Sequence, residues 1–170
     1  MRVRCFDMNS KTKELTLNAV LAALVIVATL FVRIPTPTGG SVNLGDAAVL
    51  IAAFRLGGLR GGLIGGIGSA AADLMGGSAA FALPTLFIKF AEGLVAGIVF
   101  KRLGGGPLGL AASSFSGGAC MVGGYFAFEL FAMGAGPALA VLVPNVIQAI
   151  VCGVAASVAF PFVSRSQAGS

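Results

Sequence analysis

Long apolar runs alternate with short breaks of glycine, proline or charge along this chain, and the runs lack the polar face that a surface helix of a soluble fold would carry. The pattern predicts six helices, at about 15–32, 46–56, 59–75, 82–101, 107–132 and 138–163. A bilayer core calls for about 20 residues of helix. The second run falls short at roughly 1.5 Å per residue, so it must be tilted, partly embedded, or continuous with its Gly-rich neighbour. The expected fold is therefore an all-α integral membrane protein: one six-helix bundle over residues 14–163, between a tail of residues 1–13 and one of 164–170.

Composition supports a lipid solvent. Apolar residues make up 57% of the 170 and charged residues only 10%, against about 25% charged in an average soluble domain, and mean hydropathy is +0.99. The net charge of +5 is scattered among the breaks rather than gathered in a patch, which argues against nucleic acid and for a topology signal. With the N-terminus inside, Arg2, Arg4, Lys11, Lys13, Arg55, Arg60, Lys101, Arg102 and Arg165 all fall on the cytoplasmic side, Arg33 falls outside and Lys89 lies within a span. Both termini are thus expected to be cytoplasmic, with a multi-pass placement in a bacterial plasma membrane. The first apolar run is too long for a signal peptide and no cleavage site follows it; either Met1 or Met8 can serve as the start. Cys5, Cys120 and Cys152 form no CxxC pair and histidine is absent, so neither a disulfide framework nor a metal site is expected, and no cofactor is implied.

The fourth run, "LPTLFIKFAEGLVAGIVFKR", holds Lys89 and Glu92 in its outer half. A charge at a helix centre costs about 2.5–3.5 kcal/mol even on the lenient insertion scale, so two need a reason. Thr85, Lys89, Glu92 and Ala96 share one helix face by their 4, 3, 4 spacing. A neutralised intrahelical pair is one reading and a polar binding site is the other. Depth favours the site: Asn145 and Gln148 of "LVPNVIQAIVCG" enter from the same side to matching levels, and the fifth run brings Tyr125 and Glu129 there too. Three helices then share one polar layer of donors and acceptors, with no nucleophile–base pair and no phosphate loop, which describes a pocket for a small polar molecule.

Other polar features have plainer readings. Asn43 and Asp46 can cap the second helix, or the stretch "RIPTPTGGSVNLGDAAVL" can form an external loop and lid of about a dozen residues. Pro84 and Pro144 suit the first turns of their helices. Asp73, at an unfavourable helix C-terminus, needs a partner, and Arg33 is on the correct side. Gly57, Gly61 and Gly65, and again Gly58, Gly62 and Gly66, give close-packing stripes, either within the bundle or toward a partner. Ala19 and Ala23, with Ala22 beside them, offer the same on the first helix.

The succession "IPTPTGGSVNLGDAAVLIAA", "GGLIGGIGSAAADLMGG" and "LPTLFIKFAEGLVAGI" resembles the substrate-binding S components of energy-coupling factor (ECF) vitamin transporters, closely over about residues 14–105 and more loosely through the last two helices. The resemblance implies a six-helix transport subunit, not an enzyme, that captures a vitamin or precursor from outside the cell and works with a membrane coupling subunit and two cytoplasmic ATPases. It implies a pocket built from the first external loop and helices four to six, for which the candidates here are Asn43, Lys89, Glu92, Tyr125, Glu129, Asn145 and Gln148. It also implies docking of the coupling subunit on an Ala-x-x-x-Ala motif, here Ala19, Ala22 and Ala23. The expected ligand is a flat heterocycle such as pyridoxine or hydroxymethylpyrimidine, with riboflavin or thiamine as relatives' alternatives; without tryptophan or histidine, stacking would fall to Phe81, Tyr125 or another phenylalanine. The chain carries no Walker motif, so ATP hydrolysis would belong to the partners. Two rival classes remain: a self-assembling channel with the glycine stripes as its seam, and an intramembrane enzyme, which the missing histidines and metal ligands disfavour.

Overall fold

A computed structural model describes residues 10–165; Cys5, both candidate start methionines, Arg2, Arg4 and most of the two expected tails lie outside the described residues. Six helices are present among them: α1 (Ser10–Phe31), α2 (Gly45–Leu56), α3 (Gly58–Met75), α4 (Ala79–Leu103), α5 (Pro107–Met133) and α6 (Ala135–Arg165). Four of these are long and apolar enough to cross a membrane: α1, α4, α5 and α6. Helix α1 begins at Ser10, inside the stretch expected to be tail.

Successive helices run antiparallel. One end of the bundle carries Lys11, Lys13, Arg55, Arg60, Lys101 and Arg102 at helix termini, with Arg60 paired to Glu14 across α3 and α1. At the other end the link between α1 and α2 is not an irregular loop. It is a β-hairpin, β1 (Arg33–Pro35) antiparallel to β2 (Ser41–Asn43), with Ile34 opposite Val42. The two prolines are compatible with the strands, because Pro35 ends β1 and Pro37 lies in the turn, where neither has a ladder donor to lose. Gly39 closes that turn at φ +87°, donating to Thr36 O at 3.1 Å.

The short α2 lies at the centre of the molecule, separated from its Gly-rich neighbour α3 only by Gly57. It packs against α1, α3, α4 and α6, and its residues from Gly45 to Phe54 are almost all buried. This explains why a 12-residue helix suffices: its neighbours, not lipid, surround it. Both glycine stripes of α3 serve that packing. A side-chain carbon at Gly65 would lie 2.6 Å from Val49 of α2, whereas one at Gly62 or Gly66 would lie 2.6 Å from the carbonyls of Phe90 and Leu86 on α4. The stripes are thus consumed inside the bundle, and the seam required by a self-assembling channel is not there. Gly57, at φ +85°, makes the sharp turn from α2 into α3.

Along its length the bundle divides by chemistry. At the basic end Phe54 stacks on Phe100 with ring centroids 4.8 Å apart, and Phe160 meets Phe54 edge-on at 5.5 Å, within a core that includes Leu50, Ile51 and Ala96. Toward the hairpin the buried residues turn polar. Pro84 and Pro144 lie inside α4 and α6 rather than in their first turns, because α4 and α6 begin earlier than the pattern indicated, immediately after Ser78 and Gly134. Each proline leaves the carbonyl four residues before it, of Ala80 and Ala140, without its helical donor.

Candidate binding site beneath the hairpin

Asp46 is the hub of the polar layer. One carboxylate oxygen accepts from the Lys89 ammonium and the other accepts from Gln148 Nε2 at 2.8 Å, so a single side chain ties α2 to α4 and α6. Lys89 also donates to Glu92 Oε2 at 3.0 Å, which confirms the intrahelical pair but shows it to be half of a triad. Asp46, Lys89 and Glu92 are at most 2% exposed, and in so dry a setting charges persist only when paired. Gln148 works in both directions: its Oε1 accepts the Asn43 backbone N–H at 2.7 Å. Asn43 Oδ1 in turn accepts from Gly45 N–H at 2.9 Å, turning the chain from β2 into α2 in an Asx turn. Of the two residues expected to cap α2, Asn43 satisfies its first N–H from the position before the N-cap Leu44, whereas Asp46 is spent on Lys89 and Gln148.

Above this triad lies a small, partly open cavity of about 20 Å³, room for about one water molecule. Its floor is Lys89. Its walls come from Asp73 of α3, Thr85 of α4, Tyr125 and Glu129 of α5, and Asn145 of α6, while Thr36, Ser41 and Asn43 come from the hairpin. Thr85 and Tyr125 share a hydrogen bond at 2.9 Å, and the Lys89 ammonium sits 5.6 Å from the Tyr125 ring centroid, within cation–π range. Phe81 supplies an aromatic wall, itself held edge-on by Phe128 at 5.5 Å.

The hairpin is pinned as a roof. Thr38 donates to Glu129 Oε1 at 2.9 Å, Arg33 pairs with Asp73 at 3.6 Å as expected, and Arg33 also donates to Ser78, whose hydroxyl donates to Gly39 O at 2.7 Å.

Of the seven residues singled out from the sequence, Asn43, Lys89, Tyr125, Glu129 and Asn145 line the cavity, and Glu92 and Gln148 sit beneath it as supports of Lys89 and Asp46. Asp46 itself was missed as a site residue, along with Thr36, Thr38, Thr85 and Asp73. A signal existed for Asp46: an acid followed by the wholly apolar "AAVLIAAF" has no solvated face to occupy. Thr36 and Thr38 gave none, since their roles depend on the hairpin; Thr85 did give one, standing on the Lys89 face of its helix. The assembly is a ring of hydrogen-bonding groups and two aromatic faces around a small, partly open space, a geometry suited to a small polar molecule.

Comparison with known proteins places the chain among membrane transport subunits. Residues 9–164 match the family model described as "ECF-type riboflavin transporter, S component". The thiamine precursor transporter HmpT of Lactococcus lactis is 31% identical over 160 residues, covering 93% of this chain and 92% of that protein. An uncharacterized protein of Pyrococcus woesei is 38% identical over 128 residues, covering 74% of this chain and 84% of that one. Among solved structures, the S component of a bacterial ECF transporter superposes with a TM-score of 0.66 over 94% of this chain and 98% of that one, at 18% identity, a likeness of fold.

Proposed function

The chain belongs to the ECF-type riboflavin transporter S component family, and from that footing we propose that it captures a vitamin precursor with a single heterocyclic ring, of the hydroxymethylpyrimidine kind, as the substrate-specific subunit of an ATP-driven importer. It is a multi-pass membrane transport subunit, not an enzyme. The observation that carries the reading is the buried polar cavity roofed by the hairpin, lined by Lys89, Tyr125, Glu129 and Asn145. The likeness to a thiamine precursor transporter over almost the whole chain favours a single pyrimidine ring over pyridoxine and over the three fused rings of riboflavin. The hairpin end faces outward in this reading, since the opposite end carries the lysines and arginines that mark the cytoplasmic side, and the membrane is the cell membrane.

The partners would be a membrane coupling subunit and two ATPases. Ala19 and Ala23 support a docking face on α1: both are exposed, in line with exposed Leu15 and Val27, and small residues four apart let another helix approach closely. Ala22 is turned toward α3 and half-buried, so it contributes to the bundle more than to the ridge.

Native mass spectrometry of detergent-purified protein, with extraction of any co-purified small molecule, tests the capture reading. A stoichiometric single-ring heterocycle is expected. A chain that stays empty across a panel of vitamins and vitamin precursors overturns it.

A further inference from the structure

The charges around the cavity do not balance. Asp46, Asp73, Glu92 and Glu129 are all buried in this layer, against Lys89 and the largely buried Arg33, so four carboxylates face two cations. Lys89 is shared by Asp46 and Glu92, and Arg33 is taken by Asp73. Among the described residues Glu129 has no cation paired to it. Its Oε1 accepts only the Thr38 hydroxyl, and its Oε2 is buried without any partner, although the residue is 2% exposed and lines the cavity. The cavity-lining hydroxyls of Thr29 and Ser41 likewise have no partner. The one unpartnered cationic N–H nearby, Arg33 Nη1, lies against Gly76 and is not part of the cavity wall. The titratable groups that share the space with Glu129 are Tyr125 on its own helix, Lys89 on α4 and Asp73 on α3; Asn145 faces it from α6.

A buried carboxylate oxygen without a donor is costly unless a donor arrives. We propose that the ligand supplies it: the site takes a nitrogen base in its protonated form, an amidine-like edge whose ring N–H and exocyclic N–H donate to the Glu129 carboxylate, and it rejects anionic forms such as phosphate esters. This rests on the capture reading above and names the charge of what is captured. The base brings one proton from water, and the layer's net charge falls by one in magnitude on binding. Paired N–H donors on one carboxylate form the two-point contact that gives the strongest charge-assisted hydrogen bonds. Phe81 and Tyr125, both in the wall, suit the flat faces of such a ring, and a cation over an aromatic face is favourable as well.

Calorimetry on the full chain in detergent, with three probes, tests this: hydroxymethylpyrimidine bearing its exocyclic amine, the analogue with a carbonyl oxygen in place of that amine, and the phosphate ester. Wild type is expected to bind the amine about 10- to 100-fold more tightly than the carbonyl analogue, the range that one charged hydrogen bond supports, and to bind the ester at least as weakly as the carbonyl analogue. Glu129→Gln keeps the shape and is expected to reduce the preference for the amine to about threefold or less. Equal binding of amine and carbonyl compounds by wild type overturns the proposal while leaving capture intact, and needs no variant to fold. An amine preference that survives Glu129→Gln, or tight binding of the ester, overturns it equally. If neither these probes nor any vitamin binds, the capture reading falls and takes this one with it.

Discussion

Lys89 stands between two carboxylates that cannot both be left without it. Replacing it with Met keeps most of the volume but leaves Asp46 and Glu92 buried together with no counter-charge, and breaking a buried pair in this way costs about 3–5 kcal/mol. Glu92 occupies the opposite position. It shares a helix with Lys89, one of its oxygens has no partner, and its removal as a charge leaves Asp46 and Lys89 matched one to one. Glu92→Gln is therefore expected to change stability by less than about 1 kcal/mol, the scale of one ordinary hydrogen bond, and Lys89→Met to lose several times as much. Unfolding by SDS titration in mixed micelles measures both. Equal losses would mean that the triad is held by packing and not by its charge count.

Among the elements, the α3–α4 contact sets how far the bundle can tolerate added volume. The backbones meet so closely that a side-chain carbon at Gly93 would lie 2.8 Å from Gly62 N, so Gly62→Ala must push the helices apart. A loss of about 1–3 kcal/mol is expected, as for other overpacked cores. Gly123 of α5 is the control: a carbon there meets nothing within 4 Å, and Gly123→Ala should be neutral, or gain up to about 1 kcal/mol from helix propensity. The same micelle titration reads both, and similar behaviour of the two would sink the close-contact argument. The stripe of α3 was legible in the sequence because spacing of four is a local property, and the helices were legible because apolar runs broken by Gly and charge are local too. What the sequence hid was non-local. The hairpin depends on Ile34 facing Val42 across a turn, and the role of Asp46 depends on Lys89 and Gln148 arriving from helices 43 and 102 residues away. Lys89, Tyr125, Glu129 and Asn145 were found because depth along a helix can be counted from its end; the threonines of the roof could not be, since no helix carries them.

For the molecule as a whole, capture and hand-over occupy separate surfaces. The cavity lies under the hairpin, lined by the hairpin, by α3 to α6 and by Thr29 on the buried side of α1, whereas the Ala19 and Ala23 ridge runs along the outer side of α1, exposed where the rest of that helix meets α2 and α3. Residues with no shared partners act nearly independently, so a change on the ridge should leave affinity alone. Ala23→Trp places the largest side chain where close helix approach is needed. With the coupling subunit and ATPases present, uptake into cells or proteoliposomes is expected to fall at least about tenfold, which needs only about 1.4 kcal/mol of lost docking energy, with ligand affinity of the isolated chain staying within about twofold. The chain contains no other tryptophan, so the introduced indole also reports its surroundings: quenching by brominated lipid shows that it faces lipid in the isolated chain. Loss of ligand affinity, or an indole shielded from lipid in the isolated chain, would assign this face to the bundle and remove it as the docking surface.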